Sequence, residues 1–230
     1  MIRPLITAII EYLLAFLVFK YGKLHKNTMA LIIFLLATYQ LGEVIIFMTN
    51  GGEIGFKIAY VATTLLPPLG ILLTQKILKK NFGYLLFQLI SLGFAAYILV
   101  IPQVALNFEL GPYCIRVFDY EALLAQYYFL YYQGTLMLTM LIIIIAIFRV
   151  KLDKDRAVLQ SILIAYLSFD GLAILIAQMY PEFWPSSASL MCALALIAAF
   201  IFTRVSLAEN FNSLLKAGKK QLRWGESLFS

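Results

Sequence analysis

Three carboxylates stand in stretches of sequence that otherwise read as oil. Glu11 lies in IIEYLLAF, Glu43 in YQLGEVIIF and Asp170 in YLSFDGLAI. If these stretches cross a bilayer, each ionised carboxylate at its centre costs roughly 2.5–3.5 kcal/mol even on lenient insertion scales. No Lys or Arg lies inside the same stretches away from their ends, so the buried charge is of one sign. Either each acid carries a proton at neutral pH, or a cation, a ligand amine or water lies between them. The chemistry on offer is therefore proton or cation handling, or hydrogen bonding to a polar ligand.

Polar company surrounds the acids. Tyr39 and Gln40 stand four and three residues before Glu43, on one helical face. Gly42 allows a second helix to come close. Tyr166 is one turn before Asp170, and the fifth apolar stretch carries Tyr128, Tyr131, Tyr132, Gln133 and Thr135. A fourth feature is TTLLPPLG at 63–70. Pro67 and Pro68 have no N–H, so the carbonyls of Thr63 and Thr64 lose their partners four residues on. In lipid those carbonyls must find another donor. Glu11, Tyr39, Gln40, Glu43, Thr63, Thr64, Tyr131 and Asp170 are thus the candidate ligand-binding residues, with the Thr63 and Thr64 hydroxyls expected to face the same pocket. Pro67 and Pro68 are the candidate hinge. The plainer alternative is interhelical glue, each acid protonated and bonded to a Tyr or Gln.

The elements that position these residues follow from composition. Of 230 residues, 63% are hydrophobic and 13% charged, with a mean hydropathy of +0.90. An ordinary soluble domain is about half apolar and a quarter charged. The expected class is all-α, a polytopic membrane protein. A span needs about 20 apolar residues, and seven stretches qualify: 4–21, 28–49, 56–78, 83–104, 123–148, 157–180 and 186–206. Of the 18 Lys and Arg, Arg3, Lys57 and Arg116 fall on one side, leaving 15 on the other. That asymmetry puts the basic side in the cytoplasm, the N-terminus outside and the C-terminus inside. No small-residue cleavage site follows the first apolar run, so it reads as a span rather than a signal peptide. The net charge of +6 then sets topology and attracts anionic lipid rather than nucleic acid. Tyr127, Phe183, Trp184 and most of the neighbouring tyrosines read as interfacial anchors.

Beyond the bundle (1–206) lies an amphipathic tail, 207–230. Ser206 and Glu209 form an S-x-x-E capping box, a helix-start signature. Phe211, Leu214, Leu215, Leu222 and Trp224 would form its partner-binding face, on the inner leaflet or on a cytoplasmic protein.

Catalysis finds little support. One His and two Cys are too few for a typical zinc site, so no metal or cofactor is expected. Cys114 and Cys192 read as free thiols. A retinal protein needs a buried lysine, and 186–203 has none. An intramembrane aspartyl protease needs two aspartates, and a serine enzyme lacks its base. Trp184 and Trp224 lie outside the spans, unlike the Trp-lined pockets of seven-helix vitamin transporters.

The chain to about residue 210 resembles the seven-helix sensor region at the N-terminus of many bacterial histidine kinases. The likeness rests on YQLGEVIIF, TTLLPPLGILL, the basic loop FRVKLDKDR and the exit FIFTRVSLAEN. It implies a receptor in the bacterial inner membrane that passes a helix motion to a cytoplasmic output module, with Glu43, Pro67 and Pro68 as pocket or hinge positions. The tail holds neither a phosphoacceptor His nor a Gly-rich nucleotide-binding stretch, so output is expected through a separate signalling protein or through subunits of a membrane complex. The protomer could itself pair as a homodimer. A carrier of small solutes or cations, or a structural subunit of a membrane complex, is the other expectation.

Overall fold

The computed structural model describes residues 2–100, 109–110, 115–116, 123–180 and 194–208. It is helical almost throughout. The helices are α1 (Ile2–Tyr21), α2 (Lys26–Met48), α3 (Glu53–Leu78), α4 (Tyr84–Val100), α5 (Leu123–Arg149), α6 (Asp153–Tyr166) and α7 (Leu172–Met179). A wider π-helical turn, Leu167–Gly171, joins α6 to α7. The last helix, α8, is Leu194–Ala208. Between α4 and α5 a two-residue antiparallel ladder pairs Glu109 with Arg116 and Leu110 with Ile115.

Among the described residues, five helical segments are long and apolar enough to cross a membrane: Arg3–Tyr21, Lys26–Met48, Glu53–Leu78, Gln126–Arg149 and Asp155–Ile176. Helices α4 and α8 are apolar but shorter. The expected spans at 83–104 and 186–206 each include positions outside the described residues.

Helix α3 is central, packing against α2, α4 and α5. Helix α1 packs on α2, and α6 on α5. One cluster joins α1, α2, α3, α5, α6 and α8 through side chains such as Val18, Leu36, Leu73, Ile143, Ile162 and Phe202. The outward faces stay apolar, with Leu13 and Phe16 on α1, Leu85 and Leu89 on α4 and Phe148 on α5 all exposed. An apolar exterior over a packed interior suits lipid as solvent.

The connections follow from their residues. Between α2 and α3, Asn50 (φ 48°) and Gly51 (φ 96°) take the left-handed backbone that these two types accept most readily. Thr49 closes the turn, donating to the Ile45 carbonyl at 2.7 Å and accepting from Gly52 N at 2.9 Å. The helices then cross closely. A Cβ on Gly42 would stand 2.8 Å from both the Ala59 nitrogen and the Gly55 carbonyl oxygen. The small residue before Glu43 is there for α3.

The end of the bundle departs from expectation. Ser206 starts no helix: α8 runs through it to Ala208. Its Oγ donates to the Leu24 carbonyl at 3.3 Å, and its own carbonyl accepts from Lys23 N at 3.1 Å. The hydroxyl serves the α1–α2 loop rather than a cap, so no break separates bundle from tail at 206. Glu209 and the tail residues Phe211, Leu214, Leu215, Leu222 and Trp224 lie outside the described residues, as do Cys114 and Cys192.

Two outcomes follow. Gly42→Ala should destabilise the fold by about 1–3 kcal/mol, because the new methyl meets backbone that cannot move alone; unfolding in detergent measures it. His25 sits in the α1–α2 loop with φ 44°. Burial pushes its pKa below the ordinary 6.5, Lys76 lowers it further, and Asp155 opposes. The unfolded chain then binds the proton more readily, so stability should fall as pH drops below about 6.5. His25→Asn, which tolerates the same backbone, should flatten that part of the pH profile.

Candidate functional site

The two prolines sit inside an α3 that runs unbroken past them. Proline at 68 removes the N–H that would reach the Thr64 carbonyl. Two side chains replace it: Ser91 Oγ of α4 at 2.9 Å and Tyr131 OH of α5 at 2.9 Å. A carbonyl oxygen has two lone pairs, and both are used. A backbone vacancy in one helix has become a bond to two others. Helix α4 buries only Ser91 and Ala95, so this bond is its main polar attachment to the bundle.

The threonine hydroxyls bond within their own helix. Thr63 Oγ1 donates to the Ala59 carbonyl at 2.9 Å, and Thr64 Oγ1 to the Tyr60 carbonyl at 2.6 Å. Buried in an apolar helix with no nearer acceptor, each hydroxyl folds back onto its own preceding turn. Thr64 Oγ1 also lies 3.1 Å from Tyr128 OH. Around this node the rings of Tyr60, Phe94, Tyr128, Tyr131 and Tyr132 pack edge-on, tilted or stacked, with centroids 5.1–6.3 Å apart. Tyr131 is buried and Tyr128 and Tyr132 are half-buried, and Tyr128 and Tyr131 are tied to Thr64 by hydrogen bonds. Tyr127 alone of the 127–132 tyrosines is largely exposed.

Asp170 occupies the π-helical turn and is fully buried. Gln133 Nε2 of α5 donates to both carboxyl oxygens, at 3.1 and 3.0 Å. Such turns widen a helix locally and are frequent at functional sites. Tyr166, one turn back, rests its ring on Gly70 of α3, where a Cβ would collide with its hydroxyl. Gly70 is what lets α6 pass.

Glu11 differs. It is fully buried on α1, and neither carboxyl oxygen has a hydrogen-bond partner among the described residues. Buried polar atoms are ordinarily satisfied, and a charge left unpaired in apolar surroundings is far costlier. The helical neighbours on its buried face, Ala8, Leu14, Ala15 and Val18, supply no donor. Tyr12 beside it turns away, its hydroxyl 3.2 Å from Thr38 Oγ1. Glu43, Tyr39 and Gln40 are all buried, and each is engaged rather than free.

Of the candidate ligand-binding residues, Thr64 and Tyr131 meet directly. Asp170 is joined to Gln133, and Glu11 to nothing among the described residues. Ser91 was missed, although it is a lone hydroxyl in the apolar run LISLGFAA. The π-helical turn was missed too; Ser168 and Gly171 around Asp170 were its only local signal. Among the described residues no cluster of His, Cys, Asp or Glu could hold a metal ion. No family model, curated protein or solved structure matches the chain.

Tyr131→Phe and Ser91→Ala should each cost about 1 kcal/mol. Together they should cost more than their sum, because the second loss leaves the Thr64 carbonyl bare. Pro68→Ala restores the missing N–H and should reduce the penalty of the double variant. Unfolding of the four combinations measures the coupling.

Proposed function

We propose that the chain is a non-catalytic seven-span membrane receptor or signalling subunit of the bacterial inner membrane. Its N-terminus lies outside and its C-terminus in the cytoplasm. It reads a polar or cationic ligand within the outer half of the bundle and acts through a separate partner on the tail after α8. The observation that carries this reading is Glu11: a fully buried carboxyl group whose two oxygens have no hydrogen-bond partner among the described residues. A group so placed gains most from whatever brings it a donor or a positive charge. Two further features support transmission rather than catalysis. The Thr64 carbonyl freed by Pro68 is held by side chains on two other helices, so α3, α4 and α5 share one contact. Helix α8, which leads to the tail, is bonded to the α1–α2 loop through Ser206, and α1 carries Glu11. The fifteen-to-three distribution of basic residues supports the orientation. The resemblance to kinase sensor regions accords with output at the end of the last span.

A cation carrier is the second reading, favoured by the same carboxyl group and by the lack of basic residues within the spans. Two experiments separate them. Deleting 208–230 should leave insertion and folding intact and abolish capture of the cytoplasmic partner. Full-rate cation uptake by liposomes holding the truncated protein would overturn the receptor reading. Glu11→Gln should abolish the response while keeping or raising stability, since it removes a costly buried acid. An unchanged response would remove Glu11 from the site.

A further inference from the structure

The lysine-rich end of the bundle carries a cavity with no part in the contacts above. It has a volume of about 310 Å³ and lies between the end of α3, the α3–α4 turn and the last turns of α5. Lys80 and Arg149 line it together with the apolar side chains of Phe82, Ile142, Ile145 and Ala146. Both cations are exposed, and neither is paired with a carboxylate among the described residues, where the ion pair is Lys57 with Glu53.

The cavity is held by bonds on both sides. The Gln75 carbonyl accepts from Lys80 N at 3.2 Å, and Gln75 Oε1 from Phe82 N at 3.3 Å. Asn81 Oδ1 accepts from Gly83 N at 2.9 Å. Lys79 (φ 53°) and Gly83 (φ 74°) bend the turn, so Lys80 and Phe82 both line the cavity. Opposite, Arg156 Nη2 donates to the Val150 carbonyl at 3.0 Å, fixing the chain just past Arg149. The apolar wall then continues onto the exposed surface of α5, where Leu141, Ile144 and Phe148 face outward.

Two unpaired cations over an apolar wall that opens onto the helix surface call for one kind of occupant. A free phosphate would satisfy the cations and leave the wall wet. A neutral lipid would cover the wall and leave the cations uncompensated. We propose that this cavity binds one anionic phospholipid, its phosphate between Lys80 and Arg149 and an acyl chain along Phe82, Ile142 and Ile145. Basic pockets beside membrane helices recognise anionic headgroups in this way. The proposal rests on the membrane reading of the helices and is independent of whether the protein senses or transports.

The test is lipid retention by the full chain, read by native mass spectrometry after exchange into mixed phosphatidylglycerol and phosphatidylcholine. The wild type should retain phosphatidylglycerol preferentially. Lys80→Gln and Arg149→Gln should each lower that preference about fivefold, the factor that roughly 1 kcal/mol per basic residue at an anionic surface represents. The pair Lys80→Arg and Arg149→Lys should retain it. Equal retention of both lipids, or a preference intact in the double Gln variant, would overturn the proposal. So would displacement of phosphatidylglycerol by inorganic phosphate at equal concentration, which would mark a site for a free anion. Normal insertion of a chain without lipid preference would sink this site and leave the spans standing.

Discussion

A proline has no hydrogen to give, and in a bilayer no water makes up the deficit. Much of this molecule's polar architecture answers that constraint at one atom, the Thr64 carbonyl oxygen. Ser91 and Tyr131 approach it from two different helices. Helix–helix association in lipid cannot draw on the hydrophobic effect, since the solvent is as apolar as the side chains. A carbonyl released from its own helix supplies directional attraction instead. It draws in α4, which otherwise buries Ala95 alone. It also fixes the face of α5 on which Tyr128 and Tyr131 stack with Phe94 and Tyr60. The close passages elsewhere, Gly42 against Gly55 and Gly70 under Tyr166, then need shape alone.

The three acids of the apolar helices meet three environments. Asp170 has an amide that spans both its oxygens, the interhelical glue that a membrane interior favours. Glu43 is buried and engaged. Glu11 is buried and has no donor among the described residues. One sequence feature, an acid in an apolar run, thus covers a structural bond and a candidate ligand position. Burial does not separate them, for all three are inside; the presence or lack of a donor does.

The helices were legible because a long apolar run in a membrane-like composition leaves few options, and the freed carbonyl at Thr64 was legible because proline's chemistry is local. Its partners were not, because Ser91 and Tyr131 lie 27 and 67 residues away in sequence and only packing brings them there. The bonds of the threonine hydroxyls to their own preceding turn were not legible either, since a side chain can bond its own turn as readily as a neighbour. Ser206 misled for a related reason: Ser followed three residues later by Glu describes a helix start, yet the same hydroxyl closes a distant loop. The π-helical turn left almost no trace, because widening a helix by one residue changes the register and not the composition.

That turn has a consequence for how this chain tolerates change in length. Each residue advances a helix by about 100°, so the extra residue held in Leu167–Gly171 rotates everything after it relative to α6. A one-residue deletion here would heal the helix into a regular one and leave it just as apolar, just as long and outwardly sounder. Asp170 would then swing away from Gln133, and α7 would present a different face to its neighbours. The irregular turn works as a phase setting: the two halves of one apolar rod are aimed separately, and the aim is stored as a count of residues rather than as their identity.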